Sequence, residues 1–484
     1  MHRASALVEI IPKDDAVSSS SSRFPQKQAV QLRVPTRNGR PSRLISIEEL
    51  EAANSIEKPW IAVRGKVYDL TKFVDKHPGG RDFLLLSVGR DATALYESLH
   101  TEKMTRVLNK YYIGDLKETN VPQYAPQSEF YQVVQNRVET YFKTIGKDPR
   151  DAPVMLWTYV FLTCFFVATY FAMMWRPESW TTAALPWIAA ALSGWCCAMM
   201  GFYQNHDGCH ASFTRSPLVW TALRRTYESM TGLSTLLWIY QHGLGHHPFT
   251  NVAGADPDIV SDDPGSIRVH GDQPWWNHYK WQKYYWLPLY SQLVLSRKIT
   301  EWKNVFYDNQ YKHIKINPPQ VSEYLWFVVV TSVYALQHYV LPMTFFHIGF
   351  FRMMALHTVS DLVWSVYLTL IFQASHVNDD VAWPVPDADG NIKEDWAALQ
   401  IEASLDFAHG DVMTTWLCGS LNYQAVHHLF PYVSQAFYPE IADIVKDTAK
   451  EYGVRYNLKD SIWDMIRAHV TRIEMFGEEP LPLR

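Results

Sequence analysis

Apolar residues are gathered into blocks along this chain. Val154 to Trp175 contains no charged residue, and beyond Arg176-Pro177-Glu178 the stretch Ser179 to Asn205 is again uncharged. About 20 helical residues cross a bilayer, so membrane spans are expected at about 154–175 and 182–203. A second pair is expected at about 324–347 and 353–372. Asp361 lies inside the last span, where a carboxylate should face protein or a cavity. Between the pairs, Pro217–Gln241 is apolar but broken by Arg224, Arg225 and Glu228, and Tyr284–Tyr290 is aromatic but too short to cross. Both read as helices lying in the interface.

Two hairpins of spans leave both chain ends and the 204–322 loop on one face. That loop carries Arg215, Arg224, Arg225, Arg268, Lys280, Lys283, Arg297, Lys298 and Lys303, whereas the other face shows mainly Arg176 and Arg352. Positive residues stay inside, so the loop is expected in the cytosol.

The ends of the chain differ from these blocks. Residues 1–43 combine the run Ser18–Ser22 with scattered basic residues and few apolar ones, so disorder is expected. They lack the apolar core of a secretory signal; a plastid transit peptide is opposed by Glu9, Asp14 and Asp15. Residues 44–117 read as a small soluble domain, with strands at Trp60–Val63 and Lys66–Leu70 around an Arg64-Gly65 turn. Residues 118–153 form a linker whose apolar positions (Phe130, Val133, Val134, Val138, Tyr141, Phe142) fall on one helical face, as in a surface helix leading to the membrane. A membrane domain over 154–475 and a tail over 476–484 complete the division.

A mean hydropathy of −0.17 would suit a soluble protein, because the average conceals this segregation. The 19 Trp and 27 Tyr suit membrane–water interfaces. A net charge of −5 without a basic stripe excludes a nucleic-acid binder. Five cysteines without a C-x-x-C pair exclude a disulfide scaffold and fit a reducing compartment.

Histidines recur in tight groups beside the apolar blocks. His206-Asp207-Gly208-Cys209-His210 comes first, then His242-Gly243-Leu244-Gly245-His246-His247, then Gln424-Ala425-Val426-His427-His428; His376 follows the last span. On an α-helix, residues four apart share one face. His206 with His210, His242 with His246, and Gln424 with His428 therefore pair, while His247 is rotated round the helix. Eight histidines and Gln424 exceed one mononuclear site, so two metals are expected. Imidazole suits iron, copper or zinc. The Glu of a zinc-protease helix is absent, as are the Glu-x-x-His pairs of carboxylate-bridged di-iron bundles in the membrane region.

In the soluble domain, His77-Pro78-Gly79-Gly80 and His100 border turns beside Phe73, Val74, Phe83, Leu84, Leu85, Leu95 and Leu99. These apolar residues could line a flat cofactor, and two imidazoles on a haem iron make a six-coordinate electron-transfer site. An attached haem favours a redox metal over hydrolytic zinc.

Residues 44–117 resemble a cytochrome b5 domain, which implies haem b with His77 and His100 as axial ligands. The whole chain resembles the front-end fatty acyl desaturases with a fused cytochrome b5 domain, over about residues 44–475. The three histidine boxes carry the likeness, with Gln424 where other membrane desaturases have histidine and with Leu429-Phe430-Pro431 after the last box. The resemblance implies a di-iron centre held by His206, His210, His242, His246, His247, His376, Gln424, His427 and His428. It further implies electrons from NADH through cytochrome b5 reductase, O2 as co-substrate, an acyl-lipid or acyl-CoA substrate, and residence in the endoplasmic reticulum membrane. The expected product is a cis double bond between an existing one and the carboxyl end, at Δ5 or Δ6. Asn205, Asp207, Asp256 and Asn422 are candidates to orient the imidazoles from behind; Asp256-Pro257-Asp258 also looks familial. A sphingolipid long-chain-base desaturase, a fatty acid hydroxylase and a membrane-anchored haem electron carrier are the competing readings. The fold expected is multi-domain: a small α+β haem domain, then an all-α membrane domain with four spans and a cytosolic histidine-box di-metal cap.

Overall fold

The computed structural model describes residues 36–37, 40–100, 102–177, 179–260 and 263–478. The segment expected to be disordered, 1–43, lies almost wholly outside them, as does most of the tail.

The small N-terminal domain is built on a four-stranded sheet in the order Leu44–Ile45, Tyr112–Leu116, Lys66–Asp69, Trp60–Val63. Its edge hairpin turns at Arg64 and Gly65, both with positive φ (52° and 69°), the geometry of a tight two-residue hairpin. Alternation along the strands makes two cores. Ile61, Val63 and Tyr68 pack with Leu70, Val74 and Leu84 on one face; Trp60, Ala62 and Val67 pack with Ile45, Leu50 and Leu116 on the other. Phe73, Leu85, Leu95 and Tyr96 pack against the first core, the last three from the helices Arg81–Ser87 and Thr93–Leu99.

The linker helix runs Glu129–Ile145 and stops at Gly146, whose φ of 67° suits a left-handed cap. Its apolar stripe does not face lipid. Phe130, Tyr131, Val134, Val138 and Phe142 are buried in the main core beside the helix Tyr438–Glu451, with Arg137 bonded to Glu451 across the contact. The helix is thus a surface helix as expected, with Gln132, Asn136 and Lys143 exposed, and a second amphipathic helix supplies the partner of its apolar stripe.

Among the described residues, four helices are long and apolar enough to cross a membrane: Val154–Met173, Leu185–His210, Val321–Phe345 and Phe350–Ala374. The first exposes Leu156, Trp157, Val160, Phe161 and Phe171, as a lipid-facing helix would. The second and fourth cross closely at Gly194, where a Cβ would lie 2.0 Å from the Ser360 carbonyl oxygen; only glycine permits that approach. The second helix extends past the expected end at 203. It continues through a π-helical turn, Gly201–Asn205, into His206–His210. Beyond the first hairpin, Pro217–Thr231, Gln282–Tyr290 and Leu293–Lys303 form helices that expose Leu218, Tyr284, Leu287 and Ile299.

Candidate metal centre and haem pocket

The histidine groups meet in one buried place, but not as the spacing predicted. Ile239–His246 is π-helical, and His247 N–H donates to the His242 carbonyl at 3.0 Å. The wider winding lays residue i+5 over residue i. His247 Nε2 thus lies 3.1 Å from His242 Nε2, while His246 turns to a different set.

Two sets result. His206, His210, His242 and His427 each bring a ring nitrogen within 4.8 Å of the others, and so do His246, His376 and His428. His247 joins His427 and His428 within the same limit and so bridges the sets. Gln424 belongs to the second, its amide nitrogen 2.8 Å from His376 Nε2 and 3.2 Å from His428 Nε2. Rotating the amide about its terminal torsion would present Oε1, which has no partner, to the same ring nitrogens. All nine expected ligand residues are thus brought together.

The unpaired atoms fit a metal. His206 Nε2, His210 Nε2 and His427 Nε2 are buried without a hydrogen-bond partner. Each orphan costs about 1–3 kcal/mol if nothing fills it. Burial, and then the neighbouring imidazoles, push His242, His247, His427 and His428 far below the usual histidine range, so they stand neutral, as metal ligands must. Burial takes His376 down to about 3.

His246 differs. Burial pushes it down, but the Asp256 and Asp258 carboxylates push it up further, to about 9. Its Nδ1 lies 3.0 Å from Asp256 Oδ2, leaving Nε2 with a proton that a metal ion would displace. The Nδ1 atoms of three other rings are also held. His376 Nδ1 donates to the Ala403 carbonyl at 3.0 Å, His427 Nδ1 is 3.2 Å from the Tyr438 hydroxyl, and His428 Nδ1 is 2.9 Å from the Gln400 amide.

Of the four residues expected to orient imidazoles, Asp256 is the one within hydrogen-bond distance of these rings. The other three do other work. Asp207 accepts from Tyr159 and from Ser212 Oγ at 2.9 Å; Asn422 donates to the Phe407 carbonyl at 3.2 Å; Asn205 accepts from Cys209 at 3.5 Å. They failed as candidates because adjacency in sequence was their only link to the ligands. Gln400 and Tyr438 were missed because they arrive from other elements and carry no local signal. Asp258 stood in the Asp-Pro-Asp motif without an assigned role; it lies 3.6 Å from His246 Nδ1.

A cavity of about 100 Å³ opens beside the centre. Phe202, Leu233, Trp238, Leu368 and Phe372 form apolar wall, and His206, His242, His246 and His376 face the same space. Gln241, Arg297 and Glu301 form its polar side.

In the N-terminal domain the His77 and His100 rings lie 6.1 Å apart between centroids. His77 Nδ1 donates to the Gly80 carbonyl at 3.1 Å and His100 Nδ1 to the Tyr96 carbonyl at 3.2 Å. Each Nε2 is left free as an acceptor for iron. Burial holds both rings neutral, His100 down to about 4. A Cβ at Gly79 would sit 2.8 Å from His77 Cε1, so a side chain there would press on the His77 ring. The pair fits a bis-imidazole haem.

The family model for fatty acid desaturases matches residues 178–459. The chain belongs to the fatty acid desaturase family. A cytochrome b5-like heme/steroid binding domain model matches residues 46–117. This desaturase is 37% identical over 434 residues to an acyl-lipid (8-3)-desaturase of Mortierella alpina, covering 90% of this chain and 97% of that one. It is 32% identical to Delta(5) fatty acid desaturase A of Dictyostelium discoideum, over 90% and 94% of the two chains. An sn-1 linoleoyl-lipid 6-desaturase of a Synechocystis strain is 27% identical, over 72% of this desaturase and 96% of the relative.

Proposed function

We propose that the chain is a front-end acyl-lipid desaturase that inserts a double bond at Δ5 and draws its electrons from its own haem domain. The observation that carries this reading is the convergence of eight imidazoles and Gln424 beside an apolar cavity, in a chain that also holds a bis-imidazole pocket. Δ5 stands ahead of Δ6 because relatives with (8-3) and Delta(5) names cover this chain at higher identity than the one named a 6-desaturase.

His206, His210, His242 and His427 would hold one iron ion; His246, His376, His428 and Gln424 the other, with His247 between. His77 and His100 would hold haem b. When bound, the haem passes single electrons and the iron pair activates O2, so that two electrons, two protons and the two hydrogens of adjacent methylenes reduce O2 to two waters. The chain's own residues do the rest. Asp256 and the Ala403 carbonyl fix ring orientation, which keeps the free nitrogens converging. Leu233, Leu368 and Phe372 enclose the acyl chain and exclude water, so the cavity decides which carbons meet the metal pair. Arg297 and Gln241 offer donors to a polar lipid group at the same cavity. NADH–cytochrome b5 reductase is the expected electron source. The basic 204–322 loop supports a cytosolic placement of the centre, in the endoplasmic reticulum membrane.

Yeast expressing the chain and fed single polyunsaturated acids should make a product desaturated at Δ5, carboxyl-side of an existing double bond. An altered sphingoid base or a 2-hydroxy acid would defeat the reading. His427→Ala should abolish the product without changing the haem spectrum.

A further inference from the structure

Arg90 belongs to the haem-type domain yet makes its contacts in the membrane domain. Its Nη2 donates to the Lys315 carbonyl at 3.0 Å and to Asn317 Oδ1 at 2.9 Å. The guanidinium carbon lies 5.4 Å from the centre of the Tyr240 ring. Asn317 completes a reciprocal clasp. Its Nδ2 donates to the carbonyls of Leu85 and Val88, both at 2.9 Å, and its backbone N–H donates to the Tyr240 hydroxyl at 3.0 Å. Glu51 and Lys315 form an ion pair at the same seam.

The position of this clasp matters more than its strength. Arg90 lies in the loop between the helix that follows His77 and the helix that ends at His100. Tyr240 stands two residues before His242, on the π-helical segment that carries the second histidine group. One guanidinium thus joins the loop between the two helices next to His77 and His100 to the metal-ligand helix. Hydrogen bonds contribute about 0.5–1.5 kcal/mol each, so such a seam sets an orientation without welding the domains.

That orientation brings a second contact into place. Phe83 meets Trp220 edge-on at 6.1 Å, and the Arg224 guanidinium lies 5.4 Å from the Phe83 ring. A Cβ at Gly80 would be 3.6 Å from Pro217. Trp220 is buried, and its carbonyl backs Gly208, where a Cβ would lie 3.1 Å away. Gly208 stands between His206 and His210. A covalent and contact route from His77 to the first histidine set thus runs through Phe83 and Trp220.

We propose that Arg90 and Asn317 are positioning residues that clasp the haem domain in the orientation that sets Phe83 against Trp220, making this seam the electron entry to the His206–His210 side of the centre. The inference rests on the haem-fed desaturase reading above. With haem and iron bound, each passage would take one electron from ferrous haem, leaving it ferric, and reduce the metal pair by one; a nicotinamide-dependent reductase would restore the haem. A covalent linker alone would only raise the encounter frequency of the two domains, whereas the clasp selects one pose.

The test uses the full-length protein loaded with haem and iron, reduced and then mixed rapidly with acyl substrate and O2. Haem reoxidation is read from its visible band, and hydrogen exchange is followed at residues 85–90 and 314–317. Arg90→Ala and Asn317→Ala should each slow reoxidation by about tenfold or more, as a fixed contact becomes a tethered encounter. Both should deprotect the seam while leaving the haem spectrum and midpoint potential unchanged. Wild-type reoxidation in both variants would overturn the proposal, as would slowed reoxidation with the seam still protected. If the wild-type protein makes no new double bond, the functional reading falls instead, and loss or retention of seam protection still decides the clasp.

Discussion

Lys298 Nζ lies 2.9 Å from both carboxylate oxygens of Asp361 and 2.8 Å from the Tyr334 hydroxyl. The intramembrane carboxylate therefore has a cationic partner, reached from the helix Leu293–Lys303 rather than from another span. The pair pins that helix to the third and fourth spans.

Removing one partner of a largely buried pair strands the other charge, which costs about 3–5 kcal/mol. Lys298→Met should lower the unfolding midpoint in detergent accordingly. Lys298→Met with Asp361→Leu should recover most of that loss. A single mutant as stable as wild type would show that the pair holds nothing.

The bridging position of His247 gives an unequal set of metal losses. His376 belongs to one histidine set, whereas His247 reaches ring nitrogens from both. Non-haem iron analysis of purified variants should therefore show His376→Ala keeping more of its iron than His247→Ala. Equal losses would contradict the two-set arrangement.

Asp256 holds His246 Nδ1 and also accepts the Asn251 N–H at 2.8 Å. Asp256→Asn should weaken iron retention by about 10–100-fold, the usual cost of losing a partner behind a metal-bound imidazole. Titration with a chelator measures it, and the haem band serves as the internal control.

Glu301 titrates where the protein is studied. Its Oε2 accepts the Ser234 N–H at 2.9 Å, and burial raises the carboxyl to about 7 although the Arg297 guanidinium is 3.7 Å away. The folded pKa lies above the unfolded one. The contribution to stability is thus full below about 4.5 and gone once the pH has risen through about 7. Unfolding midpoints should fall across that window in the wild type. In Glu301→Gln the fall should be smaller; an unchanged slope would remove Glu301 as its source.

Gly201 lines the cavity beside the centre. A Cβ there would be 3.5 Å from the Tyr227 hydroxyl and 3.6 Å from Leu368 Cδ1, ordinary contact distances. Gly201→Ala should keep the product profile. Gly201→Phe should cut turnover of the longest acyl chain by about 10–200-fold, the range for a misfit in an apolar pocket. Lipid profiling of cells carrying each variant checks both.

The pattern along the chain determined which segments are apolar enough to cross a membrane, that Trp60 to Asp69 would form a hairpin, and that His77 and His100 would border one pocket. These depend on composition and local periodicity, which act over a few residues. It also marked every histidine of the two sets. Only the tertiary structure decided how they divide: a π turn at 239–246 moves His247 over His242 and frees His246 for His376, since backbone winding there is set by packing and not by the side chains' order. The same holds for the partners. Gln400, Tyr438, Lys298 and Asn317 come from distant elements, and contacts between remote segments exist only once the core has closed around them.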